Sequence, residues 1–338
     1  MKKKGENLVG SDGRPEFGMY DQPFKNIDVS LLRPYGRSRP GPGSRVITRF
    51  RLKKWQFMGA CSAEIIFGMA VVDLGFLSNL FAYVYDRKQG ALVEYDIVHP
   101  LAAHTGFQGS ASSGEVRFSG KKVDVTMINE PDAILLDASV KKELRAELKF
   151  ARQPESLNMV TRVGLKGFNY TTKEAGCPVT GNIRLTDRVF TVRDDTSFGV
   201  LDYTVGQLAR HTFWNWASGG GMDVRGNRIG FNLVQGVNET GYTENVFWIQ
   251  DRMIKTDTID FTYDDRNMMR PWKLASFDGK VNLLFYPEGE RKKDLNAGLL
   301  LSRFHQPFGR FEGHFVDGGE THEIRYASGF VEEHEAKW

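Results

Sequence analysis

Two glutamates near residue 240 have the spacing to act together as an acid and a base. If Gly241 and Tyr242 form a two-residue hairpin loop, the glycine occupies the first central position of a type II′ turn. In that register Glu239 lies directly opposite Glu244. Opposed like charges are unfavourable on a strand pair, so the two carboxylates could share a proton and raise one pKa toward neutrality. Alternatively, a cation or an arginine separates them, or both extend into water at the hairpin tip.

The same register predicts the neighbours of the two glutamates. It pairs Asn238 with Asn245 on one face, and it places Trp248 opposite Gln235 on the face of the carboxylates. The asparagines could orient a ligand or a water, or bond only to each other and to loop backbone. The hairpin therefore combines candidate acids, amides and an aromatic wall.

A second candidate segment, residues 210–221, precedes the hairpin. In an extended strand, side chains alternate between faces, so Trp214 and Trp216 share one face while His211 and Asn215 share the other. Three glycines follow, at 219–221, and allow the backbone to turn sharply or to approach another element closely. The Lys-Ser/Thr ending of a phosphate-binding loop is missing, and we expect no bound cofactor.

Other kinds of site find little support in the sequence. The seven histidines do not show the spacing of a zinc site, so we expect no metal, and no Gly-x-Ser-x-Gly elbow is present. A net charge of +3 over 338 residues is too small to predict a nucleic-acid partner. The sequence contains no pattern that predicts the oligomeric state.

The sequence also gives expectations about the compartment. Only Cys61 and Cys177 are present, far apart, which favours a reducing, cytoplasmic location. The basic start has no apolar segment behind it, so it does not predict a signal peptide. The most apolar window, 57–85, contains Glu64, Asp73 and several glycines, and is therefore expected to form strands and not a membrane span.

The elements that carry these residues are predicted to be strands. Short segments rich in Val, Ile, Phe and Tyr recur every 8–14 residues with turn residues between them, which indicates an all-β protein with little helix. The segment 137–148 fits either a short helix or a strand, and we favour the strand. We expect an arm at 1–44 and two barrel-like domains at 45–182 and 183–338, joined through 169–182.

Four strings resemble a bacterial family known as domain of unknown function 2804, over about Asp21 to Phe330. They are Trp214-Asn-Trp-Ala-Ser-Gly219, Gly236-Val-Asn-Glu-Thr-Gly241 with Thr243-Glu-Asn245, Pro271-Trp272, and Phe304-His-Gln-Pro-Phe-Gly-Arg-Phe-Glu-Gly313. More distantly, the chain is similar to the double-lipocalin group of carotenoid 1,2-hydratases, AttH-like proteins and fungal Diels–Alderases. That resemblance implies two consecutive antiparallel lipocalin-like β-barrels with an apolar ligand cavity.

These observations lead to one functional hypothesis and one alternative. The chain is expected to bind a hydrophobic small molecule, such as a polyene, terpenoid or acyl lipid. It could then catalyse cofactor-free hydratase, isomerase or cyclase chemistry, with Glu239 and Glu244 as the acid and base. In that hypothesis Trp214, Trp216 and Trp248 shape the pocket. The alternative is a carrier or sensor of an apolar ligand without catalysis.

Overall fold

Strands make up most of this chain, as seen in a computed structural model that describes residues 5–33, 44–165, 167–237, 241–296, 298 and 300–338. One helix, α1 (Ser44–Arg51), precedes the long run of strands. The all-β prediction is confirmed. In the described part of the chain, no helix is long and apolar enough to span a membrane.

The first sheet contains 14 strands within the described residues. They are β1 (Gly18–Tyr20), β2 (Lys53–Cys61), β3 (Ile65–Asp73), β4 (Leu77–Asp86), β5 (Ala91–Pro100), β6 (Thr105–Gly109), β7 (Gly114–Gly120), β8 (Val123–Asn129), β9 (Ala133–Val140), β10 (Leu144–Ala151), β11 (Leu157–Val163), β12 (Gly167–Leu185), β13 (Arg188–Val192) and β14 (Phe198–Gln207). Its main path runs β5-β4-β3-β2-β14-β12-β10-β9-β8-β7-β6.

The second sheet contains nine strands of the described chain, in the order β18-β17-β16-β15-β23-β22-β21-β20-β19. They are β15 (His211–Asp223), β16 (Arg228–Gln235), β17 (Val246–Ile249), β18 (Arg252–Lys255), β19 (Ile259–Thr262), β20 (Trp272–Ser276), β21 (Val281–Asn296), β22 (Leu301–Asp317) and β23 (Glu320–Lys337). Neighbouring strands within this sheet are antiparallel.

Alternating side chains explain why these segments become strands. In β8 the buried and exposed positions alternate along the strand, as the period of a pleated sheet requires. The ambiguous segment 137–148 is also strand, divided between β9 and β10. Lys141 and Lys142 separate the two strands with φ values of 51° and 62°, a left-handed turn that a continuous helix would not allow. The strand prediction for 57–85 is likewise confirmed by β2, β3 and β4.

The protein has three apolar cores, and one of them joins the two halves. One lies inside the first sheet and includes Phe67, Phe118 and Tyr170. A second lies inside the second sheet, around Phe231. The third contains residues of both sheets, with Phe57 from β2 packed against Phe330 from β23 among others. The chain therefore has a continuous apolar contact between its halves.

Described residues between 5 and 33 pack into the first half of the protein. Strand β1 pairs with β11, and Leu8 and Phe24 are buried in the core of this half. The Phe24 ring meets that of Tyr170 edge to face, with centroids 5.3 Å apart. The described part of the predicted arm, up to residue 33, thus contributes to the core.

The predicted connection at 169–182 is wrong, and with it the boundary at 182/183. Both lie inside β12, and the chain passes from the first sheet to the second between Gln207 and His211. The polar residues of 169–182 suggested a solvated loop, but they are buried in pairs. Lys173 lies 2.6 Å from Asp202, and Glu174 pairs with Arg152. The polar residues of this segment therefore form buried contacts with other parts of the protein and not a linker between domains.

Gly220, the middle glycine of the run 219–221, lies where the two halves approach closely. A Cβ on Gly220 would lie 2.7 Å from the Cα of Gly176, and a Cβ on Gly230 would lie 2.2 Å from the carbonyl oxygen of Ala175. Gly176 itself has φ of +70° at an irregularity in the β12–β14 pairing. The backbones of β12, β15 and β16 meet without intervening side chains at this point.

Candidate functional site

A cavity of about 410 Å³ lies between the two sheets. It is lined on one side by apolar residues of β2, β3 and β4, among them Phe57, Val72 and Phe81. The second sheet contributes Trp214, Trp216 and others to the opposite side. Its volume is in the range of cavities that bind small organic molecules.

The predicted hairpin register is wrong. Val246 pairs with Asn232, and Trp248 with Gly230, so the connection between β16 and β17 covers residues 236–245 and is not a two-residue loop. The reason is that Asn245 uses its side chain to accept from the Val234 amide and Glu244 contacts Lys173 of the first half, so neither residue continues the ladder. Asn238 and Glu239 lie outside the described residues, so the predicted Glu239–Glu244 pair has no geometry to report.

Glu244 does line the cavity, where it meets a lysine of the first sheet. Its Oε2 is 3.4 Å from Nζ of Lys173, which also lies 2.6 Å from Oδ1 of Asp202. Burial alone would lower the pKa of Lys173, but the two carboxylates outweigh burial and raise it. One cation therefore faces two carboxylates, those of Asp202 and Glu244.

Glu332 on β23 is the second buried carboxyl of the cavity. Its Oε1 accepts a hydrogen bond of 2.7 Å from the Trp214 indole, and its Oε2 accepts one of 2.8 Å from the Gln306 amide. Tyr83 in turn donates to Oε1 of Gln306 at 2.7 Å, which fixes the orientation of that amide. The carboxyl is thus held between both halves of the protein.

The environment of Glu332 favours its protonated form. Burial raises the pKa of this carboxyl to about 7, although the bonds from Trp214 and Gln306 act in the opposite direction. His334 is close, with its Nδ1 3.9 Å from Oε1 of Glu332, but burial lowers the pKa of this histidine to about 3. Because the imidazole stays uncharged, it does not stabilise the carboxylate. Glu332 is therefore a carboxylic acid that can release its proton near neutral pH.

The predicted tryptophans of β15 occupy one face, as the alternation indicated. Trp214 stacks on Trp55 of β2, with centroids 6.3 Å apart and planes within 7°. Trp55 donates from its indole to Asp202 at 3.1 Å, and Trp216 donates to Asn232 at 2.8 Å. These hydrogen bonds fix the positions of the rings where they line the cavity.

Four further predicted residues lie elsewhere. His211 is exposed and pairs with Glu335 at 2.7 Å. Asn215 is buried on the other face of β15 and donates to the Tyr263 hydroxyl at 3.0 Å. The structure places the remaining two, Asn245 and Trp248, in backbone contacts, where Asn245 accepts from the Val234 amide and Trp248 donates to the Glu155 carbonyl.

The sequence reasoning missed Glu332, His334, Lys173 and Asp202. A signal for the first two was present, because Phe330, Glu332 and His334 alternate along β23 and so share a face. In the sheet, Glu332 lies opposite Trp216 and His334 opposite Trp214. The site is created by strands that are distant in the sequence, and no short sequence pattern indicates which of these strands pair.

The fold is shared with several solved structures of low sequence identity. An AttH-like protein from Nitrosomonas europaea aligns with a TM-score of 0.55 at 15% identity, covering 90% of this chain and 99% of that one. CghA, crystallised with Sch210972, aligns with a TM-score of 0.55 at 9% identity, and the alignment covers 85% of this chain and 88% of that one. Kievitone hydratase from Nectria haematococca aligns with a TM-score of 0.51 at 10% identity, covering 99% of this chain and 98% of that one. Each is similar to this chain in fold alone.

Sequence comparison identifies the family. No functionally curated protein matches the chain in sequence. A family model described as domain of unknown function DUF2804 matches residues 1–338, which is the whole of the sequence. The match agrees with the strings around Trp214, Gly236 and Phe304 that suggested the same family. This two-sheet protein, with its acid-bearing cavity between the halves, belongs to the DUF2804 family.

Proposed function

We propose that this protein binds a hydrophobic small molecule between its two sheets and catalyses acid/base chemistry on it without a cofactor. The observation that carries the proposal is Glu332, a carboxylic acid with a pKa of about 7, buried beside aromatic rings in a cavity. A group with a pKa near the working pH can both give and recover a proton. A carrier would need the apolar walls but not this acid.

In the proposed reaction Glu332 transfers its proton to a carbon of an alkene or enol in the ligand. The electron pair of the double bond forms the new C–H bond, which leaves a carboxylate and a cationic carbon. Trp214, held by its hydrogen bond to Glu332, and Trp216 present π faces that stabilise the cation. Addition of water with loss of a proton from that water gives hydration, and loss of a proton from a neighbouring carbon gives isomerisation. Attack by a second double bond closes a ring and forms a new cation, which loses a proton to complete cyclisation. In each case the carboxylate of Glu332 takes up the released proton.

Glu244 has a supporting part in this proposal. Together with Asp202 it faces the ammonium group of Lys173, which orders these charged side chains beside the cavity. Carboxylates held in fixed positions near a reacting carbon stabilise a cationic transition state. The name of one structural neighbour, a hydratase, and the co-crystallised small molecule in another are consistent with such chemistry.

The test compares wild-type protein with Glu332→Gln on a mixture of apolar metabolites. A lipid extract of the producing cells is incubated with each protein in ²H₂O, and mass spectrometry follows compounds that gain deuterium or water. We expect the wild type to convert at least one compound and the variant to convert it about 100-fold or more slowly. Glu64→Gln, at an exposed position, serves as the control.

Two results would contradict the catalytic proposal. Equal conversion by wild type and Glu332→Gln would show that this carboxyl is not the acid. A compound that remains bound to both proteins through purification and is never altered would instead support the carrier function.

A further inference from the structure

One wall of the cavity is polar along its length. Strands β12 and β14 place Asn169 opposite Gly206 and Lys173 opposite Asp202, and the Thr171–Thr204 pair lies between them. These pairs are two residues apart, so they share one face of the sheet. Asn169, Lys173, Asp202 and Thr204 all line the cavity. The polar row extends about 13 Å, the length of four residues in a strand.

At the far end of this row, a buried acceptor has no partner. Asn169 is 3% exposed, and within the described residues no group donates a hydrogen bond to its Oδ1. An unsatisfied buried polar atom is costly, and native proteins rarely keep one without a reason. The residue opposite is Gly206, whose missing Cβ would otherwise lie 3.0 Å from this oxygen. The space beside Oδ1 is therefore free of a side chain from β14.

At the near end, the acceptors already have donors. Asp202 accepts from Lys173 and from the Trp55 indole, and both oxygens of Glu332 accept hydrogen bonds. Oδ1 of Asn169 is therefore the acceptor of this row that a ligand can satisfy. It favours a ligand that donates a hydrogen bond.

We propose that the substrate is a hydroxylated apolar molecule, with a hydroxyl group that donates to Oδ1 of Asn169. This narrows the substrate class of the proposed function, on which it rests. It favours terpenoid or phenolic alcohols over pure hydrocarbons, which offer no donor, and over free fatty acids, whose ionised carboxylates accept hydrogen bonds and cannot donate one. The hydroxyl would lie roughly 13 Å along the wall from Lys173, which keeps the reacting double bond near Glu332.

The test uses three probes with one carbon skeleton: farnesol, farnesyl methyl ether and farnesoic acid. Equilibrium dialysis at pH 8, quantified by mass spectrometry, gives the Kd of each for the full chain. We expect farnesol to bind about 3- to 10-fold more tightly than the methyl ether, which cannot donate. Farnesoic acid should bind more weakly than farnesol.

Two variants assign the preference to Asn169. Asn169→Leu should bind farnesol and its methyl ether equally. Asn79→Leu changes another asparagine of the cavity, whose amide already donates to Asp96 at 2.9 Å, and should keep the preference for farnesol. Thermal unfolding confirms that both variants fold. Should Asn169→Leu fail to fold, the wild-type ranking of the three probes still decides the matter.

The outcomes separate this inference from the proposed function. If the ether or the acid binds wild type as tightly as farnesol, the hydroxyl inference is overturned while catalysis by Glu332 is untouched. Failure of all three probes to bind would overturn the inference together with the proposed ligand cavity. A preference for farnesol that Asn169→Leu abolishes supports the inference, whether or not Glu332→Gln alters turnover.

Discussion

At the scale of single residues, Glu332 couples the chemistry of the cavity to the stability of the fold. Its pKa rises from an ordinary 4.5 to about 7 on folding. The folded protein therefore holds this proton more tightly than the unfolded chain does. The stabilisation is fully present below pH 4.5 and is lost as the pH rises through about 7.

We expect Glu332→Gln to remove this part of the pH dependence. Between pH 5 and pH 8 the free energy of unfolding of the wild type should fall by roughly 2–4 kcal/mol relative to the variant. His334 contributes in the opposite direction, because its pKa is lowered on folding, but it is common to both proteins. Urea unfolding at a series of pH values measures the difference.

The control is Glu64→Gln, at an exposed position. Its free energy of unfolding should change with pH in the same way as that of the wild type. If the free energies of unfolding of wild type and Glu332→Gln differ by the same amount from pH 5 to pH 8, the Glu332 carboxyl does not titrate near pH 7.

At the scale of the elements, the glycine contact between β12, β15 and β16 sets how closely the halves approach. We expect Gly230→Ala to lower the free energy of unfolding by about 1–3 kcal/mol, because the new methyl group would overlap the Ala175 carbonyl and backbone must shift. Chemical denaturation measures the loss.

Gly106→Ala is the matched control, since a Cβ there would meet nothing within 4 Å. This substitution should change the free energy of unfolding by no more than about 0.5 kcal/mol. Equal effects of the two substitutions would show that the close approach at Gly230 is not a tight one.

Strands were predictable from the sequence, whereas their partners were not. Alternation placed Trp214 and Trp216 on one face correctly, because side-chain direction in a strand depends only on neighbours in the chain. The register at Glu244 depended on a loop length that was wrong. The polar row at Lys173 was taken for a connection because its partner, Asp202, lies on another strand. The site could not be assembled from the sequence, since its walls come from strands far apart in the chain.

At the scale of the whole molecule, the core between the sheets makes the two halves depend on each other. Phe330 contacts Phe57 and Tyr83 of the first half, with ring centroids 5.3 and 6.4 Å away. Arg87 adds a bidentate ion pair to Glu288 across the same boundary, at 2.8 and 3.0 Å. We therefore expect the wild type to unfold in one calorimetric transition.

We expect Phe330→Ala to lower the free energy of unfolding by about 3–5 kcal/mol. The two halves should then unfold in two separate transitions. Phe315→Ala is the control, because Phe315 belongs to the core inside the second sheet. It should lower the free energy of unfolding by a similar amount but leave a single transition, because the contact between the halves stays intact. Two transitions in the wild type itself would contradict the shared core.

The stacked indoles of Trp55 and Trp214 give the cavity an optical signal of its own. Each ring donates its N–H to a carboxyl group, Asp202 for Trp55 and Glu332 for Trp214. Indole emission depends on the polarity and charge around the ring, so entry of an apolar molecule and ionisation of Glu332 both alter that environment. Intrinsic fluorescence can therefore follow occupancy and protonation of the unlabelled protein in real time, before any product has been identified.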